Sequence, residues 1–151
     1  MIKKISIKTK IGWISAYERN GKIFKVKFGK LKKQIKSQIL QKFRRNLLKY
    51  LNKKTPFIKI PYIIKGNQTQ VKIWKELQKI KKGKTKSYGQ IAKKYKISPR
   101  YVGKICGQNK LVLAIPCHRV IRSDGNMGGF SGVGGVNLKT KLLKFEKKWK
   151  Q

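Results

Sequence analysis

The 151-residue chain carries 41 lysines and arginines against four acids, Glu18, Glu76, Asp124 and Glu146, for a formal charge of +37. Its 39% apolar content, rich in Ile, Leu, Val and aromatic residues, can form a core and argues against a wholly disordered basic protein. No apolar run reaches the roughly 18 residues of a membrane span, and the opening MIKKISIKTKIGW lacks the apolar block of a secretory signal.

These properties predict one domain or two small lobes in a cytoplasmic, reducing setting, as a monomer with no membrane partner. The self-repulsion of such a surface is most readily offset by a polyanion, and nucleic acid is the natural one. A lysine bias across a whole proteome would produce the same excess, so charge admits DNA or RNA without identifying either. One histidine and two cysteines, Cys106 and Cys117, argue against a Cys/His zinc site within the chain. Free thiols are expected, with no metal and no cofactor.

In chain order, residues 2–28 read as two strands, with Ile5 and Ile7, then Trp13, Ser15 and Tyr17, alternating with their neighbours. Asn20-Gly21 supplies a tight turn before Ile23, Val26 and Phe28. Residues 34–52 place Ile35, Ile39, Phe43, Leu47 and Leu51 four apart, a helical stripe. Thr55-Pro56 and Ile60-Pro61 mark a linker. Residues 68–80 bring Val71, Trp74, Leu77 and Ile80 to one helix face, with Gly83 as the stop signal. Ser87 caps a helix from Tyr88 to about Lys94, and Ser98 caps another with Pro99 at its first position, ended by Gly107 and Asn109. LVLAI (111–115) is a buried run, GNMGGFSGVGG (125–135) a glycine-rich segment, and a last helix from about Asn137 buries Leu138, Leu142 and Phe145.

The predicted fold is α/β. An N-terminal lobe, residues 1–62, holds a small antiparallel sheet and one helix; a mainly helical C-terminal lobe, residues 63–151, holds a helix-turn-helix. The two short helices joined by a brief turn are equally a plain helical hairpin, although the basic side chains and Arg100 favour DNA contact.

The chemistry concentrates at IPCHRV, where Cys117 stands beside the lone His118. A histidine can take the proton of a thiol and so make the nucleophilic thiolate. Neighbours in sequence do not face each other on a regular helix or strand, so the pair needs a bend, which Pro116 can supply. The histidine needs an orienting acid, and Glu146 is the choice within the second lobe. Alternatively Cys117 is a small inert core residue; the dipeptide alone does not decide.

IPCHRVI, followed by GGFSG and KLLKFE, closely resembles the active-site region of the O6-alkylguanine-DNA alkyltransferases, which move an alkyl group from guanine in DNA onto their own cysteine. The likeness extends upstream through GNQTQVKIWKELQKIKKGKTKSYGQIA and covers about residues 66–146. The resemblance implies Cys117 as alkyl acceptor, His118 as water-linked base, Glu146 as its orienting acid and Asn109 as a hydrogen-bonding support. It implies Tyr88 as the residue that rotates the phosphate and donates a proton towards guanine N3, and Arg100 as the finger filling the gap left by a flipped nucleotide. Thr85, Ser87, Gln90, Ser98 and Gly103 would join them at the DNA, while Cys106, Val112, Val120, Phe130 and Ser131 would line the pocket. The partner implied is double-stranded DNA containing alkylated guanine, with O4-alkylthymine as a further substrate, and each molecule would be spent in one reaction.

The chain departs from the family pattern in places. Phe130 stands where many relatives have Tyr, Lys110 replaces a frequent proline, and GVGGVN is longer than the common loop by about two residues. The first lobe carries no distinctive family motif. The competing readings are a non-catalytic lesion binder or helix-turn-helix regulator, which the retained Cys117 disfavours, and a cysteine hydrolase, which explains neither Arg100 nor the helices from Ser87 to Asn109.

Overall fold

The computed structural model describes residues 1–53, 60–126 and 135–147, with side chains from 138 onward in the last segment. It divides into two compact units, residues 1–64 with 110–114, and residues 65–109 with 115–151. The fold is mixed α/β.

In the first unit, strands β1 (Lys3–Thr9), β2 (Gly12–Arg19) and β3 (Lys22–Phe28) form one antiparallel sheet in the order β1-β2-β3. The stretch expected to give two strands gives three. Gly12 turns with φ +108°, and the Thr9 hydroxyl donates to Gly12 O at 2.6 Å, so the chain reverses after Thr9. The second reversal falls at Asn20-Gly21, with φ of +51° and +77°, as the sequence predicts.

The pairing Ile5↔Ala16 and Ile7↔Ile14 decides which side of the sheet is buried. Ile14, Ala16 and Glu18 therefore face inward with Ile23, Val26 and Phe28, while Trp13 and Tyr17 are left half-exposed. Helix α1 (Gln38–Leu51) buries Leu40, Phe43, Leu47, Tyr50 and Leu51. It starts later than its apolar spacing suggests because the Ser37 hydroxyl caps it by accepting from Leu40 N. Ile35 is outside it, 42% exposed and bridged to Lys4.

Of the expected linker, Thr55-Pro56 lies outside the described residues. The part that follows does not hang free: Pro61 O accepts from Ile23 N, and Ile63 N donates to Ile23 O. Residues 110–114 return to the same sheet, with Val26 N donating to Lys110 O and Val112 N to Val26 O.

The second unit opens with α2 (Gln68–Gln78), started by a capping box between Asn67 and Gln70. Gly66 is required just before it, since a Cβ there would sit 2.7 Å from the Trp74 ring. The helix stops at Gln78, short of the predicted Ile80, and Gly83 (φ +82°) serves the following 81–84 turn instead of capping the helix. Ile73 and Glu76 are buried with Trp74 and Leu77, and Val71 is only half-buried. Trp74 Nε1 donates to Ile105 O at 3.1 Å, holding α2 against α4 (Pro99–Gly107).

Strand β4 (Lys86–Ser87) pairs in parallel with β5 (Val120–Ile121), and α3 (Tyr88–Tyr95) follows β4 directly. Ser87 and Gln90 form the capping box of α3, and Ser98 caps α4 with Pro99 at its first turn. Lys96, in the left-handed region at φ +55°, ends α3 and lets the chain turn into α4. The last helix is α5 (Gly135–Lys147), in which Leu138 and Leu142 are buried as expected. Phe145 is half-buried, while Lys139 and Glu146 take the interior positions. No helix among the described residues is long and apolar enough to cross a membrane.

Glu76, only 2% exposed, ties α2 to α3. Lys94 donates to both of its oxygens at 2.9 Å and the Tyr95 hydroxyl donates at 2.7 Å. The bonds from Lys94 and Tyr95 lower its pKa from 4.5 to about 2. A carboxyl depressed in the folded state stabilises above its unfolded pKa, and that gain is lost as pH falls through the folded value. Glu76→Gln is therefore expected to cost about 1–2 kcal/mol in urea unfolding at pH 7, discounted because its lysine partners are largely exposed. The gap from wild type should narrow as pH falls from 4.5 towards 2.

Candidate active site

The site is built on a single 3₁₀ turn, Cys117–Arg119. Pro116, at φ −80° and ψ 66°, bends the chain into it, and Val120 N closes it by donating to Cys117 O. The bend that the Cys-His pair needs is thus present, and it follows the proline. The turn is wholly interior, with Cys117 4%, His118 1% and Arg119 3% exposed.

Helix α5 supplies the carboxylate. His118 Nε2 lies 2.9 Å from Glu146 Oε1. Arg119 forks onto the same group, Nε to Oε1 at 3.0 Å and Nη2 to Oε2, while its Nη1 donates to Ile80 O at 2.7 Å. Burial by itself would raise the Glu146 carboxyl, but the hydrogen bonds from His118 and Arg119 hold it well below the ordinary carboxylate range. An ionised Glu146 can only accept, so His118 presents its Nε2–H to it, which leaves Nδ1 as the basic nitrogen. Burial lowers the His118 pKa from 6.5 in spite of the Glu146 bond and charge, with Arg119 and Lys139 adding to the lowering. The imidazole is therefore neutral near pH 7.

At Cys117 burial raises the thiol pKa, opposed by a hydrogen bond from the Asn109 side chain and by the Lys139 charge. Asn109 is fixed by donating from Nδ2 to Ile115 O at 2.8 Å. Lys139 is fully buried, with Nζ 3.2 Å from the Tyr88 hydroxyl and 5.5 Å from the Tyr88 ring centroid. Burial lowers its pKa, and the nearby Cys117 and Cys106 thiols oppose that. Tyr88 is pushed up to about 12, by burial first and then by the two thiols, so it stays a protonated donor. Cys106 is pushed up to about 12, mainly by burial, so it is held as a protonated thiol at neutral pH.

The structure thus brings Cys117, His118, Glu146, Asn109 and Tyr88 into one unit with Cys106 and Val120. Arg100 is exposed on the first turn of α4, and Thr85 is exposed ahead of β4. Gly103, half-buried on α4, is approached by the Tyr88 ring: a Cβ there would lie 3.8 Å from it. Ser87, Gln90 and Ser98 are engaged as helix caps. Val112 belongs to the first unit. Phe130 and Ser131 lie outside the described residues.

Two site residues escaped the sequence reading. Arg119 had a signal, a cation inside the apolar run IPCHRVI with few acids available to meet it. Lys139 had none, being one of 41 basic residues and adjacent to, not within, the Leu138–Leu142 stripe. Among the described residues no group of three or more His, Cys, Asp or Glu could hold a metal ion.

A buried thiol, a neutral imidazole held by a carboxylate, and a nearby cation and phenol thus stand together in the second unit. Residues 68–148 match the family model described as the DNA binding domain of 6-O-methylguanine DNA methyltransferase, and the chain belongs to that family. A methylated-DNA–protein-cysteine methyltransferase of Metallosphaera sedula is 40% identical over 97 residues, 64% of this chain and 60% of that protein. One from Sulfurisphaera tokodaii is 44% identical over 80 residues, 53% of this chain and 49% of the relative, so the matched part spans about half to three-fifths of these proteins. The crystal structure of Mycobacterium tuberculosis O6-methylguanine methyltransferase superposes with a TM-score of 0.86 at 25% identity, covering 100% of this chain and 96% of that one. The Mycobacterium tuberculosis protein in complex with DNA gives 0.85 at 27% identity, covering 95% of this chain and 92% of that one.

The Lys139 charge acts on Cys117, and a cation favours thiolate over thiol. Lys139→Met should therefore slow alkylation of Cys117 by iodoacetamide several-fold at pH 7.5 and move the midpoint of its rate–pH profile upward. Intact-mass kinetics check this, with Cys117→Ser as the blank.

Proposed function

We propose that this protein repairs DNA by transferring the alkyl group of O6-alkylguanine to its own Cys117. The observation that carries the reading is the interior Cys117–His118–Glu146 array in a chain of the methyltransferase family. In the proposed reaction His118 Nδ1 takes the thiol proton, directly or through a water. The sulfur attacks the alkyl carbon, an S–C bond forms, and the C–O6 bond breaks with its electron pair passing to the purine. Tyr88 gives its proton to guanine N3 and regains one from solvent, and His118 releases its own to solvent. The Lys139 ammonium beside the Tyr88 oxygen lowers the cost of the transient phenolate. The product is a thioether, which no group among the described residues is placed to reverse, so one molecule repairs one lesion.

A base within a duplex cannot reach an interior sulfur, so the nucleotide must leave the stack. Arg100, exposed on α4, is proposed to occupy the gap, with α4 in the minor groove and Thr85 near the backbone. Phe130 and Ser131 are proposed for the pocket, Ser131 through its backbone N–H at O6. O4-alkylthymine, which presents a similar alkoxy group, is proposed as a second substrate.

Incubation with duplex DNA bearing one O6-methylguanine, followed by intact-protein mass spectrometry, should give one methyl adduct on Cys117 and none on Cys117→Ser. Protein that binds the lesion and gains no methyl group would establish a non-catalytic lesion binder instead. Arg100→Ala should slow repair in duplex at least tenfold while leaving reaction with free O6-benzylguanine within about twofold. Equal losses on both substrates would refute the arginine role.

A further inference from the structure

We propose that the outward face of the first unit's sheet is a stacking platform for single-stranded DNA, separate from the alkyl-acceptor site. The inference stands whether or not Cys117 accepts alkyl groups. One face of the sheet is apolar apart from Glu18 and packs against α1; the other carries Trp13, Tyr17 and Phe24, each half-exposed. The bulge between Tyr17 and Glu18 allows Phe24 to stand beside Tyr17, with ring centroids 6.1 Å apart and planes at 51°. Residues 29–35 fold back over the Ser6–Ser15 part of this face, where Ser15 donates to Gly29 O and Leu31 N to Ser6 Oγ. The β2–β3 part, with Tyr17 and Phe24, is left open.

Every ring there has a cation over it. Arg19 stands 5.2 Å from the Phe24 centroid, Lys25 and Lys27 stand 5.4 and 5.6 Å from Tyr17, and Lys30 stands 4.8 Å from Trp13. Register places Lys4 and Lys25 opposite Tyr17, and Lys8 opposite Trp13, on the same side. No acid shares the face: Glu18, the only acid of the sheet, points to the core side and accepts from Gly21 N. Like charges crowded on one pleated surface repel each other, and that repulsion persists until a polyanion relieves it.

Charge complementarity selects a nucleic acid, and the rings select a single strand. A duplex offers phosphates but keeps its base faces stacked, so Tyr17 and Phe24 would have nothing to meet. An unpaired strand offers both phosphates and base faces. Trp13 and Tyr17, four residues apart on β2, are ~13 Å apart along the strand, a span that a few extended nucleotides cover.

The full-length protein is titrated with fluorescein-labelled oligothymidylate and, separately, with an unmodified duplex of the same length. Tyr17→Leu/Phe24→Leu keeps the apolar bulk and the charge. It should weaken oligothymidylate binding roughly tenfold and leave duplex binding within about twofold. Lys25→Gln/Lys27→Gln should instead reduce the slope of log affinity on log salt by about 1.4 for the single strand. Independently of any variant, photo-cross-linking to oligonucleotide carrying 5-iododeoxyuridine should yield adducted peptides containing Trp13, Tyr17 or Phe24. Adducts confined to residues 66–147, unchanged affinity in the leucine variant, or equal losses for single strand and duplex would each overturn the proposal. If the leucine variant does not fold, as judged by circular dichroism, the cross-linking map of the wild-type protein decides.

Discussion

The second unit depends on the buried Glu146 carboxylate. It receives Arg119 in a two-pronged contact and His118 on one of the same oxygens. Arg119 also reaches Ile80 O, so a single acid fixes α5, the Cys117–Arg119 turn and the end of α2 relative to one another. An uncompensated interior carboxylate is untenable, as is an interior guanidinium, so each is present only because the other is. The chain has four acids and buries two of the second unit's three, Glu76 and Glu146, each bound by several donors. With so little negative charge to distribute, it is used where it organises helices around the Cys117–Arg119 turn.

That arrangement resolves a conflict within the site. Burial protects the thiol from unwanted partners but also keeps it protonated, and it strips the proton from His118 by the same mechanism. A neutral imidazole and a protonated thiol are the starting state that the proposed proton transfer requires. Lys139 and Asn109 favour the charged form of the sulfur without themselves accepting its proton. Lys139 meets Tyr88 as well, and in the proposed reaction it would couple the sulfur to the proton donor.

Much of this was legible in the sequence where local chemistry has one solution. Asn20-Gly21, the Ser87 and Ser98 caps, Pro99 and the Pro116-Cys117-His118 bend each state their conformation through a backbone preference. Glu146 could be paired with His118 because so few acids exist. What was hidden depends on contacts distant in sequence. The inward side of β2 is chosen by its register with β1, and a period-two pattern containing Trp13, Tyr17, Ile14 and Ala16 is apolar on both sides. The return of residues 110–114 to the first sheet has no local mark, and Lys139 looks like any other lysine until α5 is packed.

The extreme charge is consequently not one property but two. A small interior part, which includes Arg119 and Lys139, is held by specific partners and shifts the ionisation of Cys117 and His118. The larger part lies on surfaces such as the outer sheet face, where cations sit over aromatic rings and have no acids beside them. A lysine bias in composition would scatter cations without regard to their neighbours. It would not by itself pair them with half-exposed Trp13, Tyr17 and Phe24 on one side of a sheet whose opposite side, Glu18 apart, is apolar. Selection for a foldable sheet needs only the apolar side, so the aromatic side requires a separate reason, and a base-stacking polyanion supplies one that uses the rings and the charges together.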